Sequence, residues 1–302
     1  MEAASALSYQ SCSWIESDRC RRIFKGDLRF PQRLGDDRLL QRVNLRLSQP
    51  ASASYCSGSF RFKIACCRNK KEDSENFISG VDEVLILKRK SEDVIPYLNE
   101  RCIYLVGMMG SGKTTVGKIL SEVLGYSFFD SDKLVEQAVG MYSVAQIFKE
   151  HSEGFFRDNE TKALIDLSLN RRLVVATGGG AVIRPINWRY MKRGITVWLD
   201  VPLEALARRI AAVGTESRPL LNKVPGDPYT KALIRLSTLF KERGDAYGNA
   251  DARVCLQHIA SKQGHGDVSA LTPTAIAIEA LTNIESFLKK DAAVERLTYF
   301  NS

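Results

Sequence analysis

Apolar positions acquire a regular spacing only beyond about residue 71. Before it, neither the 3.6-residue period of a helix nor the two-residue period of a strand is sustained. From Glu72 to Glu100 the chain is charged and mixed. Val84, Leu87, Val94 and Leu98 allow a helix there that breaks near Pro96, read as an extension packed on the domain that follows. Cys102 to Val106 is an apolar run that stops at a glycine, and predicts a buried strand. Val116, Ile119, Leu120, Val123 and Leu124 then fall at i, i+3, i+4, i+7 and i+8, one face of a helix. Ser127 to Asp130 predicts a short second strand, Lys133 to Ala138 a helical run, and Tyr142 to Asn170 a mostly helical region. Leu173 to Thr177 is a third strand, and Ile195 to Asp200 a fourth. Pro202 opens a helix from Leu203 to Ala212. Tyr229, Ala232, Leu233, Leu236 and Phe240 mark another helix, Ala252 to Leu256 a fifth strand, and His258 to Leu271 a polar, glycine-bearing loop. Thr272 caps a final helix with Pro273 in its first turn. Strands and helices alternate, which is the pattern of an α/β domain.

The first strand and helix enclose Gly107-Met-Met-Gly110-Ser111-Gly112-Lys113-Thr114, a full match to G-x-x-x-x-G-K-[ST]. Strand, glycine loop and helix in this order make a phosphate-binding loop. The glycines let backbone N–H groups turn inward around phosphates, and the helix N-terminus adds partial positive charge. Lys113 would reach the β- and γ-phosphates, and Thr114 would offer its hydroxyl to Mg²⁺. The motif points to a nucleoside triphosphate but not to the acceptor.

Other positions bear on the acceptor. Phe128-Phe129 ends in Asp130-Ser-Asp132 at the C-terminal end of a strand, where open α/β sheets place their ligands. Extended backbone would point both carboxylates the same way: one to orient the metal, the other to hold a hydroxyl and accept its proton. The alternative is that Asp132 caps the following helix. Arg157 and Glu160 are i, i+3 neighbours, by the plain reading a surface ion pair worth little. Gly178-Gly179-Gly180 at a strand end implies close backbone approach or unusual φ. Residues 213–228 have the glycine and proline content of a lid, with Arg218 inside. Arg243 continues the apolar face of its helix and needs an anionic partner, from the protein or a ligand.

Charge divides the chain. The net charge of +8 sits wholly in residues 1–71, with 14 basic and 6 acidic residues, so the folded part gives no electrostatic case for nucleic acid. Five of the seven cysteines also lie there, and Cys102 and Cys255 lie in apolar runs, as buried thiols would. His151, His258 and His265 lack ligand spacing, and no run of 18 apolar residues would span a membrane. The Ser- and Arg-rich leader without a long apolar segment reads as an organelle transit peptide, processed near Ile64-Ala-Cys-Cys67; the alternative is an ordinary disordered tail.

Taken together, GMMGSGKTTVGK, FFDSD, GFFRDNE, ATGGGAV, SRPLL and KERGDAY resemble shikimate kinase over residues 101 to about 290, and the leader makes the plant plastid form the nearest likeness. The resemblance implies a P-loop kinase of the nucleoside monophosphate kinase-like fold, with a five-stranded parallel sheet of order 2-3-1-4-5 between helices. It implies residues 1–66 as a chloroplast transit peptide, 67–100 as an extension, 101–290 as the kinase domain and 291–302 as a tail, with the protein in the plastid stroma. ATP and shikimate would be the substrates and Mg²⁺ the cofactor, with neither nucleic acid nor membrane as partner; the oligomeric state stays open. Gly107, Gly110, Ser111, Gly112, Lys113, Thr114 and Thr115 would serve ATP, and Thr114 and Asp130 the metal. Asp132 would hold shikimate hydroxyls and act as base or orienting group. Arg157 and Arg243 would clamp its carboxylate beside Gly178, Gly179 and Gly180. Arg218 would close on the transferring phosphoryl group, and Arg209 and the region of Pro273 would flank adenine. The family commonly has proline and leucine shortly after the last arginine, where this chain has Gly244-Asp245-Ala246. A gluconate or nucleotide kinase, a plastid relative without catalysis, and a bare ATPase are the other readings. The paired arginines with D-x-D and G-G-G speak against the first, and the presence of every candidate active residue against the second.

Overall fold

The computed structural model describes residues 73–213 and 227–300, with side chains at 82–213 and 227–293. Five strands form one parallel sheet: β1 (Ile103–Val106), β2 (Ser127–Asp130), β3 (Leu173–Ala176), β4 (Ile195–Asp200) and β5 (Ala252–Cys255), in the order β2-β3-β1-β4-β5. The central strands β1 and β3 are buried at every position, and so is β4 up to Leu199, because helices cover both faces. Tyr104 lies between Val175 and Thr196, and Leu105 between Ala176 and Val197. This register brings the C-terminal ends of β1 and β3 side by side, where the strand order switches direction.

Helix α1 (Asp73–Leu98) precedes the sheet, and α2 (Lys113–Leu124) follows β1. Gly117 lets α2 lie close on the sheet, since a Cβ there would come within 2.7 Å of the Phe128 ring. After β2 come α3 (Ser131–Val139), α4 (Val144–Glu150) and α5 (Glu153–Ser168). Helix α6 (Pro185–Met191) precedes β4, and α7 (Leu203–Val213) and α8 (Pro228–Tyr247) precede β5. Helices α9 (Leu256–Lys262) and α10 (Pro273–Phe300) end the fold. Thr272 caps α10 by accepting from the Ala275 N–H at 3.0 Å.

Some elements depart from the sequence-based expectation. Helix α1 does not break at Pro96 but runs two residues further, because buried Val94 and Leu98 anchor its last turn while Pro96 stays exposed. Val84, expected on the packed face, is exposed. The helical region 142–170 divides at Ser152, whose hydroxyl caps α5 by accepting from the Phe155 N–H. The expected loop from His258 contains α9, because Leu256, Ile259 and Ala260 are buried at helical spacing, and then a 3-10 turn at Val268–Ala270. Cys102 is buried, but Cys255 is only half-buried. No helix among the described residues is long and apolar enough to cross a membrane.

Candidate active site

The loop between β1 and α2 has the backbone its glycines predict. Gly107, Gly110 and Gly112 have φ of 147°, 80° and 92°, a region that costs other residues energy. Gly107 also has no room for a side chain, since a Cβ would lie 2.8 Å from Leu199 O. No side chain caps α2 at Gly112, so its first N–H groups face the loop. The Lys113 ammonium arches back over it, donating to Gly107 O and Met108 O, both at 2.8 Å, and to Ser111 Oγ at 3.3 Å. Ser111 is buried in the loop, while Thr114 and Thr115 are exposed on the first turn of α2. Arg209 on α7 donates to Gly110 O at 3.2 Å, which ties that helix to the loop.

Asp130 and Asp132 both reach this end of the sheet, but not by the alternation of an extended segment. Asp130 ends β2, whereas Asp132 lies in the first turn of α3. Asp130, not Asp132, is the helix cap: its Oδ1 accepts from the N–H groups of Asp132 and Lys133. Its Oδ2 accepts from the Thr114 hydroxyl at 3.0 Å, joining β2 to the phosphate loop. Asp132 turns inward. Burial raises its carboxyl pKa to about 7, with the nearby Glu160 and Asp130 carboxylates adding to the shift and Lys113 and Arg157 opposing it.

Two of the three glycines, Gly178 and Gly180, supply close approach, and none of the three is among the glycines with positive φ. A Cβ on Gly178 would lie 2.6 Å from Glu160 Oε1 and collide with Asp132 Oδ1. One on Gly180 would collide with the Arg157 guanidinium, 2.5 Å from its Cζ. Gly179 passes the phosphate loop, where a Cβ would be 3.4 Å from the Met109 nitrogen. The buried Ser131 hydroxyl fixes this strip by accepting from the Gly178 N–H at 2.9 Å. Asp132, Glu160 and Arg157 thus meet the phosphate loop across a backbone without side chains.

Arg157 and Glu160 do not form a surface pair. Both are buried on α5 and joined at 2.8 Å, with the exposed Glu153 carboxylate on the other Arg157 nitrogen at 3.1 Å. Burial works against the Arg157 charge, but these two carboxylates outweigh it and hold the guanidinium above its usual pKa. The Glu160 carboxyl is raised by burial, with Arg157 opposing. Arg243 is buried on α8 as its place on the apolar stripe predicts. It donates to Gly179 O at 3.3 Å, and among the described residues no carboxylate lies within ion-pair distance of it. Helix α8 continues through Gly244-Asp245-Ala246 to Tyr247, so the departure from the family pattern leaves Arg243 on a regular helix.

Two participants escaped the sequence reading. Ser131 was hidden between two carboxylates. Tyr247, four residues beyond Arg243 on the same inward face, is fully buried and donates to Gly179 O at 2.7 Å. Its i, i+4 spacing from Arg243 was the available signal. Arg218 and most of the expected lid lie outside the described residues, as do residues 1–66. Pro273 starts α10.

The chain matches the family model for shikimate kinase over residues 109–280, more than half its length. Shikimate kinase 3, chloroplastic, of Oryza sativa subsp. japonica is 58% identical over 294 residues, covering 97% of this chain and 99% of the relative. Shikimate kinase 1, chloroplastic, of the same plant is 62% identical over 294 residues, covering 95% and 92%. A shikimate kinase from Acinetobacter baumannii, solved in complex with shikimate, is 39% identical and covers 52% of this chain and 82% of its own, with a TM-score of 0.45. On the family match and on relatives that are more than half identical along nearly its whole length, this chain belongs to the shikimate kinase family.

Proposed function

We propose that Lys113, Asp132, Arg157 and Arg243 are the residues with which this chain phosphorylates shikimate. The activity itself follows from the family: ATP-dependent transfer to the 3-hydroxyl of shikimate, giving shikimate 3-phosphate and ADP, in the chloroplast. One observation supports the residue roles. Among the described residues, the buried side-chain atoms without a hydrogen-bond partner include Asp132 Oδ1, Glu160 Oε1, Arg157 Nε and Arg243 Nε. Two acceptors and two charged donors surround one glycine strip. Leaving such groups unpaired is costly, so the pocket suits a ligand with hydroxyls to donate and a carboxylate to accept. Shikimate has both.

In this reading the backbone of Gly107, Gly110, Ser111, Gly112, Thr114 and Thr115 cradles the phosphates, and Lys113 turns from loop carbonyls to phosphate oxygens. Arg209 lies against adenine. Arg157 and Arg243 grip the carboxylate, for which a planar guanidinium is better suited than an ammonium, with Gly178, Gly179 and Gly180 as the flat wall between them. Glu160 keeps Arg157 charged and in place. Asp132 takes the proton of the 3-hydroxyl as its oxygen bonds to the γ-phosphorus and the β–γ bridging bond breaks, releasing ADP. Arg218, outside the described residues, is proposed to meet the transferring phosphoryl group. The hard oxygens of Thr114 and Asp130, already 3.0 Å apart, suit Mg²⁺. Bound there, the ion would offset phosphate charge. Catalysis is mostly positioning and charge stabilisation.

Arg157→Ala and Arg243→Ala test the clamp. Each should weaken shikimate binding by roughly tens to thousands of fold, the effect of losing about 2–5 kcal/mol from a desolvated charge pair. ATP affinity should stay within a few fold, and Arg→Lys should not restore shikimate binding. Calorimetric titration of each ligand measures both. Unchanged shikimate affinity in folded variants would remove the clamp.

A further inference from the structure

The carbonyl of Gly179 is held from two sides. Arg243 Nη1 donates to it at 3.3 Å and the Tyr247 hydroxyl at 2.7 Å. The same hydroxyl lies 3.4 Å from Met108 Sδ in the phosphate loop. The Tyr247 ring stacks on Trp198 of β4, with centroids 5.7 Å apart and planes 15° apart. Burial pushes the Tyr247 phenol well above its usual pKa, so it remains a donor across the working pH range. From the helix that carries Arg243, one side chain therefore touches the donor loop, the glycine strip and β4.

We infer that Tyr247 is a positioning residue for phosphoryl transfer, which orients the Gly179–Gly180 peptide between the acceptor carboxylate and the phosphate loop. The inference rests on the reading that Arg243 and the glycine strip receive that carboxylate. A trans peptide is planar, so fixing the Gly179 carbonyl also fixes the Gly180 N–H in the opposite direction. Glycine has no side chain to restrict its backbone, and without an external bond this peptide could rotate. Arg243 alone is a poor tether, because its bond is the longer one and the same guanidinium must serve the ligand. Tyr247 relieves it of that task. The contact with Met108 places the strip relative to the loop that carries the donor phosphate. Loss of the hydroxyl should therefore affect alignment in the ternary complex more than ATP binding.

Tyr247→Phe keeps the ring and its stacking but removes the bond. It should lower kcat/KM for shikimate about tenfold, the effect of one buried hydrogen bond, with KM for ATP within about twofold. In a cycle with Arg243→Ala the two losses should be non-additive, since both act on one carbonyl and one carboxylate. Trp198→Phe is the stability control: it disturbs the stack but not the bond. Its thermal midpoint should fall without the shikimate-specific defect. The inference is overturned if Tyr247→Phe retains wild-type kcat/KM for shikimate, if its loss simply multiplies that of Arg243→Ala, or if Trp198→Phe reproduces the same defect. The underlying reading fails separately: there, Arg243→Ala itself would bind shikimate normally.

Discussion

Asp132 is the residue whose surroundings change its chemistry most. Its carboxyl has an ordinary pKa of 3.8 and sits near 7 in the fold, chiefly because the carboxyl of this half-buried residue is withdrawn from water. Only the ionised form can accept the proton of a hydroxyl, so kcat/KM should rise with pH through about 7 and level off above it. Lys113 and Arg157 favour the charged form, whereas Glu160 and Asp130 resist it. Asp132→Asn should lose both the activity and that limb of the profile. The same shift has a stability consequence of definite sign. A folded pKa above the unfolded one means that the native state holds the proton more tightly, so wild type loses stability as pH rises from about 4 to about 7. Asp132→Asn has no such loss, and its thermal midpoint should exceed wild type increasingly across that window. A midpoint difference independent of pH would contradict the assigned burial. Neither the shift nor the buried state of Arg157 and Glu160 could be read from residue types: an i, i+3 pair has the same spelling on a surface and in a core.

Helix α1 is the element whose contribution is most separate from chemistry. Leu87, Ser91, Val94 and Leu98 are buried at helical spacing and pack it on the domain beside α10. Lys90 pairs with Glu285 at 3.2 Å and Thr272 donates to Glu83 at 2.7 Å, but partly exposed contacts of this kind contribute little beside the apolar face. Leu98 ends α1 just before β1, at the opposite end of that strand from the phosphate loop. Leu98→Ala should therefore cost about 2–5 kcal/mol in chemical denaturation while kcat and both KM values stay within about twofold. A large kinetic effect with little loss of stability would mean that the extension acts on the site. The apolar pattern of α1 was legible; its continuation through Pro96 was not, because two buried anchors in the last turn outweighed the proline.

At the scale of the whole molecule, charge and fold are partitioned. The whole excess of positive charge precedes residue 72, and the remainder is balanced. The relatives are chloroplastic proteins, and the chain shares that compartment. We expect residues 1–66 to be the import signal: fused to a fluorescent protein, they should carry it into chloroplasts, and cytosolic fluorescence would refute the assignment. The parallel sheet of order β2-β3-β1-β4-β5 gathers the ends of β1, β2 and β3 at one edge, which is why motifs more than a hundred residues apart in sequence share a pocket.

Local rules sufficed for the phosphate loop. A strand, three glycines with positive φ and an uncapped helix start are dictated by neighbours in sequence, and both motif and backbone could be read there. The strands and most helices followed from apolar spacing, and the inward Arg243 from its place on that spacing. The acceptor pocket was decided by tertiary structure. Asp132, Glu160, Arg157 and Tyr247 come from three helices; Gly178 and Gly180 let the first three approach one backbone strip within distances that a Cβ would forbid, and Tyr247 bonds the Gly179 carbonyl between them. Sequence names the side chains proposed to bind a hydroxylated carboxylate, but the desolvation that sets the charge of Asp132 and Glu160 and leaves polar atoms of Asp132, Glu160, Arg157 and Arg243 unpaired exists only once the sheet has brought them together.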